Sequence, residues 1–203
     1  MSSSVPPPRA APESIPGNIY LVGLMGAGKT SVGRLLARRL HKAFVDSDHE
    51  IEARTGVKIP LIFEIEGEAG FRRRESSVVQ DLVHQSDIVL ATGGGAVIDP
   101  QNRAVLHSTG TVIYLRAAPS ELYFRTRHDR NRPLLRTADP LAKLEELHRI
   151  RDPFYRDCAH LIVDTGNQAI RSLVSRIERE LRDRAKSDLR PETPVDSLQV
   201  LHR

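Results

Sequence analysis

Gly23-Leu24-Met25-Gly26-Ala27-Gly28-Lys29-Thr30 decides the fold of this chain. It matches G-x-x-x-x-G-K-S/T, a pattern whose meaning depends on its flanks. Before it, residues 19–22 (Ile-Tyr-Leu-Val) read as a short buried strand. After it, Val32, Leu35, Leu36 and Leu40 recur on one face of a helical stretch. In the order strand, loop, helix, the glycines let the loop wrap around phosphate oxygens with its amide hydrogens pointing inward. The helix N-terminus adds positive potential. Lys29 then reaches the β- and γ-phosphates of a nucleotide, and the Thr30 hydroxyl ligates Mg²⁺. A chance Lys-Thr after a glycine-rich turn would lack these flanks. The motif by itself does not choose among a kinase, a GTPase and an ATP-driven machine.

Outward from this loop, four more apolar runs punctuate the chain, at residues 43–45, 88–91, 112–115 and 161–163. They are nearly continuous in Ile, Val and Leu, as strands buried on both faces are. Helical stretches separate them; near the end, Ile170, Leu173, Val174, Ile177 and Leu181 share a face. Strands alternating with helices predict an α/β fold with a parallel sheet covered on both sides. Ligands bind at the carboxyl ends of such strands.

The 203 residues suit one domain with flexible ends. Residues 1–16, with three consecutive serines and five prolines, read as a disordered tail. Residues 17–184 form the domain, and the polar segment 185–203 reads as a flexible C-terminal tail. No apolar run approaches the roughly 20 residues that span a membrane. The lone Cys158 permits no intrachain disulfide, which fits a reducing, cytoplasmic setting. The net charge of +4 rests on arginines. Most belong on solvated helix faces; the rest suit either a nucleic-acid surface or clamps on small anions. The basic stretch before Pro133 lacks interleaved aromatics for base stacking, so no nucleic-acid partner is expected.

Several further segments carry chemistry. Asp46 and Asp48 end the second strand, and residues two apart in an extended segment point the same way. The bland alternative is a turn that caps the helix starting near His49. Phe71-Arg72 lies on a helix, where a guanidinium suits a carboxylate ligand, and Glu75 shares the Arg72 face and could orient it. Gly93-Gly94-Gly95 follows the third strand and allows close approach to backbone, or is merely a flexible turn. The polar run Arg125-Thr-Arg-His-Asp-Arg-Asn-Arg132 reads as a mobile lid that excludes water. Arg151-Asp152-Pro153 is expected to end or kink a long helix. Taken alone, Arg151 reads equally well as a surface ion pair, and Phe63 as core packing.

The phosphate loop, Asp46-Ser47-Asp48, Phe71-Arg72, Gly93-Gly94-Gly95, Arg132-Pro133-Leu134-Leu135 and Arg151-x-Pro-x-Tyr155 together resemble the shikimate kinase family. The resemblance spans about Asn18 to Arg182, in the family's order. It implies a three-layer P-loop kinase fold with a five-stranded parallel sheet in order 2-3-1-4-5, helices on both faces and a lid. It implies transfer of the ATP γ-phosphate to the 3-hydroxyl of shikimate, on the route to chorismate and aromatic amino acids. Implied ATP contacts are Gly26, Ala27, Gly28, Lys29, Thr30, Ser31, Arg125 (against adenine) and Arg132. Implied substrate contacts are Asp48, Phe63, Phe71, Arg72, Gly93, Gly94, Gly95 and Arg151. The resemblance makes Lys29, Asp48 and Arg132 catalytic, with Thr30 and Asp46 holding Mg²⁺. Arg127, His128, Asp129 and Arg130 depart from the Gly/Asn-rich lids of many relatives, and the loop 164–168 lacks an arginine some of them carry. The family's common state, a monomer, is expected. Two rivals remain: a related hydroxy-acid kinase such as a gluconate kinase, and a nucleotide-dependent binding or regulatory protein of the same fold.

Overall fold

A computed structural model describes residues 15–129, 132–166 and 168–188. Five strands, β1 (Asn18–Val22), β2 (Ala43–Asp46), β3 (Ile88–Ala91), β4 (Gly110–Arg116) and β5 (Leu161–Asp164), form one sheet. All its pairings are parallel, and the order is β2-β3-β1-β4-β5, as expected. Each apolar run sits inside one of these strands.

The helices are α1 (Lys29–Leu40), α2 (Ser47–Thr55), α3 (Ile59–Leu82), α4 (Pro100–Thr109), α5 (Pro119–Thr126), α6 (Pro140–Cys158) and α7 (Ile170–Asp188). Helices α1 and α7 pack together on one face; α4 and α6 pack together against β4, with α3 beside α4. The middle strands β1 and β3 are buried throughout. The edge strands β2 and β5 are not, because each has a neighbour on one side only. Two-sided burial, read from composition for all five, therefore holds for the centre of the sheet.

Helix α7 buries Leu173, Val174, Ile177 and Leu181, while Ile170 at its start stays exposed. It continues to Asp188, past Arg184. Of the predicted N-terminal tail, Ile15 is buried and Pro16 exposed; residues 1–14, and 189–203 of the C-terminal one, lie outside the described residues. Pro153 does not end the helix, one of the two outcomes expected of it: α6 runs through it for another turn and more, to Cys158. Burial of Leu147, Arg151, Tyr155 and Cys158 along that helix outweighs the proline's local cost. Among the described residues, no helix is long and apolar enough to cross a membrane.

Polar accounting tightens the end of the sheet opposite the phosphate loop. Buried Asn18 donates to the Gln85 carbonyl at 2.7 Å and to the Tyr20 hydroxyl at 3.0 Å. Its Oδ1 accepts from the Ile88 amide at 3.1 Å. One side chain thus fastens β1 to the entry of β3. Asn18→Ala strands the Ile88 amide and the Gln85 carbonyl, while the Tyr20 hydroxyl keeps Thr109, and unsatisfied buried groups cost about 1–3 kcal/mol. Urea denaturation is expected to show that loss, with substrate Michaelis constants unchanged because the site lies at the other end of the sheet.

Candidate active site

Three chain segments leave the carboxyl ends of β1, β2 and β3 side by side, and the site grows from that junction. The loop after β1 enters α1 through Gly28, whose φ of 93° lies in the left-handed region open to glycine. Lys29 follows at once and folds back over the loop, donating to the carbonyls of Gly23 at 2.6 Å and Leu24 at 2.9 Å. Burial, reinforced by the nearby Arg132 charge, lowers the Lys29 pKa to about 8, against the opposing pull of Asp48 and Asp46.

Asp46 ends β2 and caps α2: its carboxylate accepts from the amides of Asp48 at 3.1 Å and His49 at 3.5 Å. It also accepts from the Thr30 hydroxyl at 2.8 Å. The expectation that Asp46 and Asp48 project together from one extended segment is therefore corrected. Asp48 lies in the first turn of α2, and it is the helical turn, not strand alternation, that brings it beside the loop. The capping role and the site position are two halves of one arrangement. Asp48 Oδ1 is buried with no hydrogen-bond partner among the described residues, and burial together with the Asp46 charge raises its pKa. Lys29, Arg132 and Arg72 pull the other way.

The third wall comes from α3, which breaks at Gly67 into two helical segments. Phe63 on the first meets Phe71 on the second, with ring centroids 4.7 Å apart. The next residue, Arg72, donates to Glu75 at 2.6 Å, as their spacing suggested, and to Glu68 at 2.8 Å. Glu75 is buried; desolvation raises its pKa against the pull of Arg72, and Asp48 adds to the rise. The glycines after β3 make room for these groups. A Cβ on Gly93 would overlap the Glu75 carboxylate and lie 2.7 Å from Asp48 Oδ1. A Cβ on Gly95 would fall inside the Arg72 guanidinium. The Gly93 amide donates to Ser47 at 2.8 Å. Gly94 turns its carbonyl toward α6, where it accepts from Arg151 at 3.2 Å and from the Tyr155 hydroxyl at 2.5 Å. Arg151 is buried, so its surface reading fails.

Asp48, Phe63, Phe71, Arg72, Gly94, Gly95, Arg132 and Arg151 line one cleft of about 480 Å³. Gly26, Gly28, Lys29, Thr30, Ser31, Asp46, Arg125 and Arg132 line an adjoining one of about 1070 Å³, which shares Asp48 and Gly94 with the first. Ala27 and Gly93 stand outside both: Ala27 is a core residue bordering a recess beside α7, and Gly93 lies behind Glu75. Arg125 spans from the phosphate loop to the loop after β5, bonding the Thr165 hydroxyl at 3.1 Å and the Gly166 carbonyl at 2.8 Å. Arg132 pairs with Asp129 at 2.9 Å within the polar lid sequence. Arg130 and Asn131 of that segment, and Asn167 of the adenine-side loop, lie outside the described residues.

Three participants escaped sequence reasoning. Glu68 lies on the helical face of Arg72 one turn back, a signal the i,i+4 spacing carried. Tyr155 stands in the sequence only as the end of a motif, yet its ring stacks on Tyr114 and its hydroxyl fixes Gly94. Ser47 sat between two acids and drew no notice.

The comparisons with known proteins agree with this geometry. The family model described as shikimate kinase matches residues 25–182. A shikimate kinase of Dechloromonas aromatica is 65% identical over 163 residues, covering 80% of this chain and 89% of its own. The solved shikimate kinase of Acinetobacter baumannii in complex with shikimate superposes with a TM-score of 0.81 at 49% identity, over 86% of this chain and 96% of that one. A gluconokinase of Sinorhizobium meliloti reaches a TM-score of 0.53 at 16% identity, over 86% of this chain and 97% of that one, a likeness of fold alone. The chain belongs to the shikimate kinase family.

Proposed function

We infer that this chain transfers the γ-phosphoryl group of ATP to the 3-hydroxyl of shikimate, giving ADP and 3-phosphoshikimate. One observation carries the reading: Asp48 borders both clefts, so a carboxylate with raised proton affinity stands between a phosphate loop and a pair of arginines. A hydroxy acid fits this layout. Its carboxylate belongs with Arg72 and Arg151, its ring against Phe63 and Phe71, and its hydroxyl toward Asp48 and Gly94. Charge-assisted bonds from two guanidiniums hold an acid more strongly than neutral donors would.

Phosphoryl transfer asks the protein mainly for positioning and charge neutralisation. Lys29 and the loop amides hold the β- and γ-phosphates, and Arg132 offsets charge on the group in flight. Asp48 orients the acceptor hydroxyl and takes its proton. The Thr30 hydroxyl and the Asp46 carboxylate are hard oxygen donors that share a hydrogen bond facing the phosphate cleft, a pairing that suits Mg²⁺. Such an ion completes its shell with water and phosphate oxygens rather than an all-protein cage. When bound, it would neutralise β- and γ-phosphate charge. Arg125 braces the adenine side. The full set of loop, base and clamp residues argues against a regulatory protein that has lost catalysis.

A coupled assay with ATP and either shikimate or gluconate tests the reading: turnover of shikimate is expected, and its absence sinks the inference. Asp48→Asn is expected to lower kcat by about 100-fold or more, with the ATP Michaelis constant little changed. The same variant should melt higher at pH 7–8. A raised carboxyl pKa means that the charged form costs stability above that pKa, so removing the charge stabilises the fold. The gain fades as pH falls and the wild-type group takes up its proton. Differential scanning fluorimetry across pH reads it. Arg151→Ala is expected to raise the shikimate Michaelis constant by roughly tenfold or more, since hydrogen bonds to charged groups contribute about 1.5–3 kcal/mol.

A further inference from the structure

Glu68 is placed where a substrate carboxylate would compete with it. Its Oε1 accepts from both Nε and Nη2 of Arg72, at 3.2 and 2.8 Å, and lies 3.9 Å from Nη2 of Arg151. One oxygen therefore serves two guanidiniums. The Arg72 fork converges on a single acceptor instead of two, and the Arg151 contact is an ion pair without a hydrogen bond. A ligand carboxylate offering separate oxygens to the two arginines would satisfy both better.

The two acids on Arg72 are not equivalent. Glu75 has 2% of its side chain exposed and Glu68 has 47%. Glu75 is locked in place, whereas Glu68 can rotate into water and recover its hydration. Backbone geometry helps. Gly67, immediately before it, has φ 69° and ψ −179°, which breaks α3 there. Among the described residues, no atom beyond its own stretch of helix and its chain neighbours lies within 4 Å of where a Gly67 Cβ would be, so this glycine serves the dihedral angle rather than a tight contact. Glu68 thus opens the second helical segment. Its neighbour Glu66 is engaged elsewhere, with Arg74.

We propose that Glu68 is an internal carboxylate that occupies the Arg72–Arg151 pair, keeps it compensated and aligned, and is displaced by the carboxylate of the acceptor substrate. This rests on the reading of Arg72 and Arg151 as the substrate clamp. The device selects ligands: a neutral molecule or a weakly held anion cannot trade places with Glu68, while an acid that also fills the ring and hydroxyl positions can. Substrate affinity is lowered in exchange, because every binding event breaks an existing pair. Glu68 acts through the arginines and touches no reacting atom, so it is a positioning residue.

Glu68→Gln keeps the side chain's size and removes its charge. In wild type and variant, the shikimate Michaelis constant and kcat are measured, together with calorimetric binding of cyclohex-1-ene-1-carboxylate, the bare ring acid, without ATP. Partly exposed ion pairs of this kind correspond to about two- to fivefold in an equilibrium. A fall of that size is expected in both the Michaelis constant and the ring-acid dissociation constant, with kcat held within twofold. Glu66→Gln, the control two residues away on the other side of the Gly67 break, should change neither. Unchanged or weakened ring-acid binding in Glu68→Gln overturns the proposal and makes Glu68 a brace for Arg72. Failure of the parent reading is separately visible, since wild-type enzyme would then not phosphorylate shikimate, while the calorimetric comparison still reports the exchange.

Discussion

The site depends on balancing buried charge in a small space. Asp48 and Glu75 are both drawn into the cleft floor, and each would be costly there alone. Lys29, Arg72 and Arg132 surround them, so the charges make one network that shifts Lys29, Asp48 and Glu75 together. Asp48 keeps its proton more tightly than an ordinary carboxyl, and Lys29 keeps its less tightly than an ordinary ammonium. The Asp48 shift strengthens that carboxylate as a proton acceptor, the property a base needs. The same balance explains the local sequence. Gly93 and Gly95 leave the volume that Glu75 and Arg72 fill, and the buried Tyr155 and Arg151 converge on the Gly94 carbonyl that lies between those glycines.

The parallel sheet supplies the convergence. With β3 between β2 and β1, the turn carrying Asp46 and Asp48, the glycine turn and the phosphate loop emerge as neighbours although they are far apart in sequence. Helix α6 then delivers Arg151 and Tyr155 from the far side of the chain. Each loop is short and anchored: Asp46 caps α2 while holding Thr30, and Ser47 holds the Gly93 amide. Rigid attachment of this sort matters because phosphoryl transfer gains chiefly from preorganisation.

Much of this was readable without coordinates. The five apolar runs became the five strands, and the phosphate loop predicted its own flanks. Arg72 and Glu75 paired as helical spacing requires. Reasoning failed where local pattern and tertiary packing diverged. Asp48 reads as part of an extended segment because the strand passes straight into the helix, with Asp46 ending the one and capping the other. Pro153 was expected to end or kink α6, but the buried face of that helix carries it onward. Glu68 passed unnoticed because an exposed Glu beside a kink looks like solvated surface until Arg151 arrives from another helix.

The sequence by itself determined the class of fold and the chemistry available, because strand composition, helix periodicity and the glycine-lysine loop are local properties of a chain. Its motif order was enough to indicate the family. Only the tertiary structure decided which charges share a cleft, which are desolvated and which acid can leave its partner. Those outcomes depend on burial and on distances between segments that meet only when the sheet is assembled, and neither quantity is written in any one stretch of residues.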